Sequence, residues 1–269
     1  MKKNLIIVLL HIISLSLFAQ KTKDNLLKIE YFEYRIYNQN IVNIDVGKLY
    51  VSKELSYYTS KIFKKEKKSG ILDSQSISVE NNDEIFSEIL INKKEKLLTE
   101  RLYEEKFLKK KYDVFEKLPK MNWMITKEQK KISNYICTKA KTVFRGRTYE
   151  VWYTELIPIS SGPWKFNGLP GLILQAKDLQ GIYSWELKSL LYPYNNSEIN
   201  LDNALKDNPK YKKISFANFD KIKIEAIKNK IDIIKARNSN RQGMKANFEY
   251  STSEEKEPIN ELRTTSYFE

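Results

Sequence analysis

Four carboxylates near the middle of the chain are the residues whose type best suits catalysis: Glu150, Glu155, Asp178 and Glu186. Hydrolysis of a glycosidic bond needs only two carboxyl groups, one as acid and one as base or nucleophile. Carboxylates on strands and turns are, however, ordinarily solvated charges. The sequence therefore favours no particular catalytic pair, and a carboxylate-dependent hydrolase is the third of three functional hypotheses.

Other common catalytic groups are scarce. The one histidine, His11, lies in an N-terminal segment that we expect to be removed, and Cys137 is the one cysteine. Without an imidazole, the mature chain has no Ser-His-Asp or Cys-His arrangement and lacks the usual zinc ligands. We predict no catalytic motif, no cofactor and no metal. Cys137 lies in a strand-like run, which predicts a buried, inert thiol; the alternative is a mixed disulfide with a partner.

The N-terminus is typical of a cleaved signal peptide. Lys2 and Lys3 precede an apolar stretch, and Ala19 is a small residue at the expected cleavage position. We predict removal of residues 1–19 and export, with the protein periplasmic or associated with the outer membrane. No second long apolar segment follows, so the sequence predicts no transmembrane segment in the mature chain.

The net charge of +13, or +11 once the two lysines of the signal segment are removed, raises the question of an anionic partner. The basic residues are mostly lysines spread along the chain and mixed with Glu, Ile and Asn. We therefore predict no nucleic-acid binding, and leave open a weak attraction to anionic membrane surfaces.

The most informative stretch runs from Gly162 to Leu174 and reads GPWKFNGLPGLIL. Its prolines restrict the backbone and its glycines permit turns or close approaches, so the loop 157–168 should be stiff and ordered. Trp164 and Phe166 should then pack onto a sheet. The residues assigned to this structural motif are Gly162, Pro163, Gly168, Leu169, Pro170, Gly171, Leu172 and Ile173.

Two interpretations of the loop stay open. The favoured one is a folded clasp that closes one end of the sheet, and the other is a surface for a ligand or partner. The candidate binding residues are Trp164, Lys165, Phe166, Leu169, Trp152, Arg145 and Arg147. The two arginines could clamp an anion or simply form the charged tip of a hairpin. The glycines do not follow the phosphate-binding order, and no helix comes after them.

The positions of apolar residues predict mostly strands. Alternation marks strands at 29–37, 48–52 and 55–59, and a hairpin at 86–108 whose second part, 97–111, could instead be helical; strand is favoured. Residues 61–83 are expected to be an exposed loop, and Lys127–Lys131 a charged turn. Apolar spacings of three and four predict a helix at 218–236. The expected antiparallel meander consists of 132–144, 148–156, 169–177 and 182–191.

The run Gly168-Leu169-Pro170-Gly171-Leu172-Ile173 resembles the signature of the GLPGLI family, exported proteins of Bacteroidetes. Trp123, the run 135–140 and the run 144–154 resemble the family's approach to that motif. The resemblance covers residues 120–190 and implies an exported protein with no assigned reaction.

These features together predict an α+β fold, in which a large curved antiparallel sheet, a half-barrel, wraps over an amphipathic helix near the C-terminus. It resembles periplasmic lipoprotein-carrier folds. We expect one domain over residues 20–250, with its core at 120–190, and a flexible tail at 251–269. The first functional hypothesis is a non-enzymatic carrier for an apolar or lipidated ligand. The alternative is an envelope accessory protein that docks on an outer-membrane partner through residues 157–171.

Overall fold

The computed structural model describes residues 26–38, 41–61, 85–103, 108, 110–195 and 199–239. The expected signal segment 1–19, nearly all of the expected 61–83 loop and the tail 251–269 lie outside the described residues.

One sheet of twelve strands accounts for most of the described chain, in the order β12-β6-β5-β4-β3-β2-β1-β11-β10-β9-β8-β7. Every neighbouring pair is antiparallel except β6 and β12, which run parallel. In the same part of the chain, one long helix, α1 (Phe216–Ser239), follows the last strand. The strands are β1 (Leu26–Asn38), β2 (Ile41–Val51), β3 (Leu55–Lys61), β4 (Ile85–Asn92), β5 (Leu97–Leu102), β6 (Lys111–Lys117), β7 (Met124–Ile132), β8 (Tyr135–Phe144), β9 (Arg147–Thr154), β10 (Leu172–Asp178), β11 (Tyr183–Tyr194) and β12 (Tyr211–Ser215).

Two ion pairs show how strongly the sheet is curved. Arg145, in the turn between β8 and β9, pairs with Glu116 on β6, although β6 and β9 are eight inter-strand steps apart in the sheet. Neighbouring strands lie about 4.8 Å apart, so a flat sheet would separate these strands by roughly 38 Å. Lys165 likewise reaches Glu100 on β5, with 2.7 Å between Nζ and Oε2. The curved antiparallel sheet with a helix near the C-terminus is therefore confirmed.

Alternation along the strands gives the sheet a buried inner face and an outer face. On β9, Tyr149, Val151 and Tyr153 belong to the core cluster, whereas Trp152 between them is only half-buried. Such alternation is expected of an antiparallel sheet that packs on one side only. We call the strands β2 to β6, on one side of β1, and β8 to β11, on its other side, the two arms of the sheet. The core cluster joins residues from both arms, including Ile89 on β4 and residues of β9 and β10.

The crossover between β9 and β10, residues 155–171, lies against the inner face. The Trp164 ring stacks on Trp185 with 6.1 Å between centroids, and the Phe166 ring meets Trp185 edge-on at 5.5 Å. Phe166 also contacts Tyr149, at 5.0 Å. Both rings are buried, so the expectation that they pack onto the sheet is confirmed.

The crossover is held by hydrogen bonds and by close backbone packing. The Ile173 N–H donates to the Ser161 carbonyl at 3.0 Å, and the Tyr31 hydroxyl donates to the Ile173 carbonyl at 2.7 Å. A Cβ at Gly171 would lie 2.1 Å from the Thr154 carbonyl oxygen, so only glycine fits there without a backbone shift. The crossover is thus an ordered part of the interior.

Helix α1 packs on β6 and on the edge strand β12. Its Phe219 ring lies edge-on to Tyr112 of β6 at 5.4 Å, and Ile227 and Ile231 are buried at the spacing of one helical turn. The Ser215 hydroxyl accepts the Asn218 N–H at 3.4 Å and caps the first turn. The helix predicted at 218–236 is confirmed and extends slightly beyond both predicted ends.

Three segments differ from the sequence-based prediction. The predicted turn Lys127–Lys131 belongs to β7, where an irregular register between Ile125 and Gln129 takes up the extra residues. Strands β6 and β12 had not been predicted. They pair with each other in parallel, and because this contact joins residues about 100 positions apart, no local pattern predicts it.

The alternative between strand and helix after Leu97 is decided for strand up to Leu102.

Lys165→Met tests the interior position of the crossover. The substitution should lower the free energy of unfolding by about 3 kcal/mol, because Glu100 would be left largely buried without its ammonium partner. Lys213→Met is the matched control, since it removes a lysine from an exposed pair with Asp207 and should cost less than about 0.5 kcal/mol. Urea denaturation measures both, and equal costs would contradict the buried position of Lys165.

Candidate ligand-binding face

Four of the seven candidate binding residues point into the interior. Trp164, Lys165, Phe166 and Leu169 are buried, with Lys165 only 1% exposed. They therefore present no open surface to a ligand or partner in this structure. Their side chains instead fill the space between the two arms of the sheet.

The two arginines are engaged in structural contacts. Arg147 is buried, and its Nη1 donates to Asp178 Oδ2 at 2.8 Å and to Gln180 Oε1 at 2.6 Å. The Arg145 guanidinium pairs with Glu116 and lies 3.6 Å from the centroid of the Phe216 ring. Arg147 thus holds the turn after β10, and Arg145 ties a hairpin tip to the start of the helix.

The motif residues build the crossover and the start of β10. Gly168 has a φ of +94°, which favours glycine, and its N–H donates to the Ser160 hydroxyl at 2.8 Å. The Pro163 carbonyl accepts the Phe166 N–H at 3.2 Å, and Pro170 is exposed just before the strand. Close contacts or burial mark the remaining members, Gly162, Leu169, Gly171, Leu172 and Ile173.

Trp152 is the one candidate residue on the outer face, where it belongs to a row of side chains across five strands. The strand registers align Lys139, Trp152, Gln175, Glu186 and Phe32 in one row. A second row runs beside it and consists of Lys141, Glu150, Lys177, Ser184 and Tyr34. We call these ten residues the outer-face rows. They combine three partly exposed aromatic rings with ammonium, carboxylate, amide and hydroxyl groups.

Another part of the outer face is covered by the segment around Leu201 and Lys206. Leu201, in a short 3-10 turn, packs on Tyr50 of β2 and Tyr57 of β3. The Lys206 carbonyl accepts a hydrogen bond from Arg101 Nη2 of β5 at 2.8 Å, which holds the same segment against the sheet. Among the described residues, this segment lies over the outer face of β2 to β5, and the rows lie on β8, β9, β10, β11 and β1.

Two lysines converge on the indole of Trp152. The Nζ of Lys130 lies 4.4 Å from the ring centroid, and the Nζ of Lys139 lies 5.2 Å from it. Both distances are within the range of cation–π attraction. Lys130 also donates to Gln175 Oε1, which places a neutral amide beside the same ring.

Glu150 is the electrostatic centre of the second row. Its carboxylate pairs with Lys139 at 3.3 Å, Lys177 at 3.6 Å and Lys141 at 3.8 Å. Burial raises the pKa of this carboxyl, but the three lysines, Lys139 first, outweigh burial and the pKa is lowered. Glu150 therefore stays ionised at neutral pH and orders the lysines, which does not suit a proton donor.

The four candidate catalytic carboxylates do not share one environment. Asp178 lies inside the sheet, where it accepts the backbone N–H groups of Ile182 at 2.8 Å and Tyr183 at 2.7 Å in addition to Arg147. Glu155 lies in the turn after β9, and Glu150 and Glu186 lie in the outer-face rows. This distribution favours structural roles over a catalytic pair.

Cys137 is buried beside the outer-face rows, and its Sγ lies 3.7 Å from the Tyr135 carbonyl. Burial raises the pKa of this thiol more strongly than Lys130 lowers it. Within the described residues, no three His, Cys, Asp or Glu side chains are grouped so as to hold a metal ion. In the same part of the chain, no helix has the length and apolarity needed to cross a membrane.

Sequence reasoning missed most members of the outer-face rows. It named Trp152, Glu150 and Glu186 for separate reasons, and did not connect them with Lys139, Gln175 or Phe32. The available signal was the alternation of side chains along β9. Trp152 lies between the buried residues Val151 and Tyr153, so its side chain is on the opposite face of the strand. The registers that join five strands into rows are tertiary information.

Comparison with known proteins gives one family match. The N-terminal domain of an N-glycanase, described as "N-glycanase peptide, N-terminal domain", matches residues 61–179. No curated protein matches the chain. A solved structure of PNGF-II in space group C2 is similar, with 18% identity and a TM-score of 0.50 over 75% of this chain and 33% of that one. A second PNGF-II structure, in space group P21, has 18% identity and a TM-score of 0.49 over 75% of this chain and 34% of that one.

These matches define a likeness of fold and of one region. The chain spans about a third of the length of the PNGF-II structures that it resembles. They also show that the resemblance to the GLPGLI family is wrong, because the matching family model is the N-glycanase domain, and its match contains the whole motif at 162–174. The motif is a Gly/Pro turn that enters a buried strand, and its residue types meet a packing need of this fold. The region at 61–179 is similar to an N-glycanase N-terminal domain.

Lys139→Gln should raise the pKa of Glu150, because it removes the partner that lowers this pKa most. Lys141→Gln, whose ammonium is farther away, should raise it less. A carboxyl with a lowered pKa in the folded state stabilises the fold above its unfolded-state pKa, and this contribution is lost as the pH falls through the folded-state pKa. Titration by carbon-13 NMR measures both shifts; no change in either variant would contradict the described pairing.

Proposed function

We propose that the chain is a non-catalytic binding module that holds a carbohydrate on its outer-face rows. The observation that carries this proposal is the half-buried Trp152, which lies between Lys139 and Gln175 in a row of mostly polar side chains. An aromatic ring offers an apolar platform, and the groups beside it fix the orientation of a polar ligand. The rows provide both within one surface.

The chemistry of the rows suits a sugar. The apolar face of a sugar ring can lie on the indole, while its hydroxyls find acceptors in Glu186 and Gln175 and donors in the lysines. From Lys139 to Phe32 the row crosses four inter-strand steps, or roughly 19 Å. That length fits an oligosaccharide better than a single sugar.

The comparisons support the same class of ligand. The matching family is named for an N-glycanase, and the match is to its N-terminal domain. A chain that spans about a third of PNGF-II could supply binding without the rest of that protein. We therefore propose a glycan carried by a peptide as the natural ligand class.

The outer face is a better candidate than the two surfaces that the sequence suggested. A carrier for an apolar or lipidated ligand would need space on the inner face, where the Trp164 and Phe166 rings are packed. Docking on an outer-membrane partner through residues 157–171 would need an exposed loop, but its central side chains are buried. The outer-face rows require no rearrangement of the interior.

We also propose export, with the protein periplasmic or associated with the outer membrane. The basic residues, apolar stretch and Ala19 of the N-terminus support this location. Mass spectrometry of protein purified from the cell envelope should find a mature N-terminus at Gln20. A retained Met1 would contradict cleavage.

Trp152→Ala should weaken the binding of an N-glycopeptide by about tenfold or more, because stacking on an aromatic face is lost. Phe115→Ala is the matched control, since Phe115 is an exposed aromatic residue on β6 outside the rows. Its affinity should equal that of the unmodified protein. Isothermal titration calorimetry measures the affinities, and thermal unfolding checks that both variants fold. Equal binding by Trp152→Ala, or no binding by the unmodified protein, would reject the proposal.

A further inference from the structure

We propose that the glycan is acidic and that a sugar carboxylate binds at Lys130, beside the indole of Trp152. This inference rests on the proposed function and names its ligand more closely. It starts from the unequal pairing of the two lysines at that ring.

The positive charge of Lys139 is balanced by carboxylates of the same protein. Its Nζ pairs with Glu128 at 2.7 Å and with Glu150 at 3.3 Å. Lys130 contacts the same ring, yet its hydrogen-bond partner is the neutral amide of Gln175. Among the described residues, no carboxylate forms an ion pair with Lys130.

The position of Lys130 makes an unpaired charge costly. Its side chain is partly buried, and burial lowers the pKa of its ammonium, assisted by the nearby Lys177. The groups that act in the opposite direction are Cys137, Glu150 and Glu186. A bound carboxylate would form the ion pair that Lys130 lacks among the described residues. A charge-assisted hydrogen bond between Lys130 and this carboxylate would be strong.

The charges around the ring also limit the ligand. Four ammonium groups lie here, on Lys130, Lys139, Lys141 and Lys177, against three carboxylates, on Glu128, Glu150 and Glu186. The local excess is one positive charge. This excess matches a sugar with a single carboxylate, and the three acidic groups would repel a ligand with several charges.

The site also explains how charge and stacking would act together. The Lys130 Nζ lies 4.4 Å from the Trp152 ring centroid, so a carboxylate bound to Lys130 is adjacent to the platform on which the sugar ring lies. One acidic sugar could therefore occupy both contacts. A neutral sugar could use the platform alone.

A sialylated N-glycopeptide and the same glycopeptide after sialidase treatment form a matched pair of probes, because they differ in the acidic sugar. The unmodified protein should bind the sialylated form about tenfold more tightly in calorimetry, as expected for one charge-assisted contact. Lys130→Gln should bind both forms equally, whereas Lys130→Arg should keep most of the preference. Lys212→Gln, which removes an exposed lysine of β12 outside the outer-face rows, controls for net charge and should keep all of the preference.

The outcomes separate the two proposals. Equal binding of both glycopeptides by the unmodified protein, or a preference that survives Lys130→Gln, would overturn the acidic-ligand inference and leave the carbohydrate platform standing. Binding of neither form would overturn both. Competition by inorganic phosphate at millimolar concentration, with no preference between the glycopeptides, would show a general anion site and would also overturn the inference.

Discussion

The packing of the Trp164 and Phe166 rings against the inner face is the interaction on which the rest of the structure depends. A sheet of twelve strands that curls until β6 meets the β8–β9 hairpin encloses a space that must be filled. The crossover 155–171 fills it with aromatic rings, and the Lys165–Glu100 pair ties it to the opposite arm. Because the interior is occupied in this way, the proposed binding surface lies on the outer face of the same strands.

The outer face owes its character to the alternation of side chains along each strand. Every residue that β9 turns inward for the core leaves a neighbour turned outward, and Trp152 and Glu150 are two such neighbours. Cross-strand pairing then aligns them with residues of β8, β10, β11 and β1. The segment around Leu201 covers a different part of the outer face, on β2 and β3. The two ends of the sheet therefore differ in what lies on their outer face, although their strands alternate in the same way.

Much of the fold could be predicted from local patterns. The strand at 29–37, the hairpin around residues 92–97, the meander through β8 to β11 and the helix near residue 218 all follow from alternation, turn residues and apolar spacing. Residues 127–131 of the edge strand β7 and the parallel pair β6–β12 could not be predicted in this way, because a lysine-rich edge resembles a turn and parallel pairing leaves no local mark. The candidate site was less predictable. Aromatic residues that stand out in the sequence, such as Trp164, are buried and serve packing, so they do not mark the site.

The sequence by itself determined that the described part of the chain is mostly antiparallel sheet with a helix near the C-terminus, and that the Gly/Pro-rich crossover is stiff and carries rings that need burial. These properties depend on backbone restrictions and on side-chain periodicity, which act between near neighbours. Only the tertiary structure decided which face each ring occupies, that Arg147 and Lys165 are buried in ion pairs, and that Lys130 and Lys139 meet at Trp152. The physical reason is that such contacts depend on strand register and sheet curvature, which arise from pairings between residues far apart in the chain.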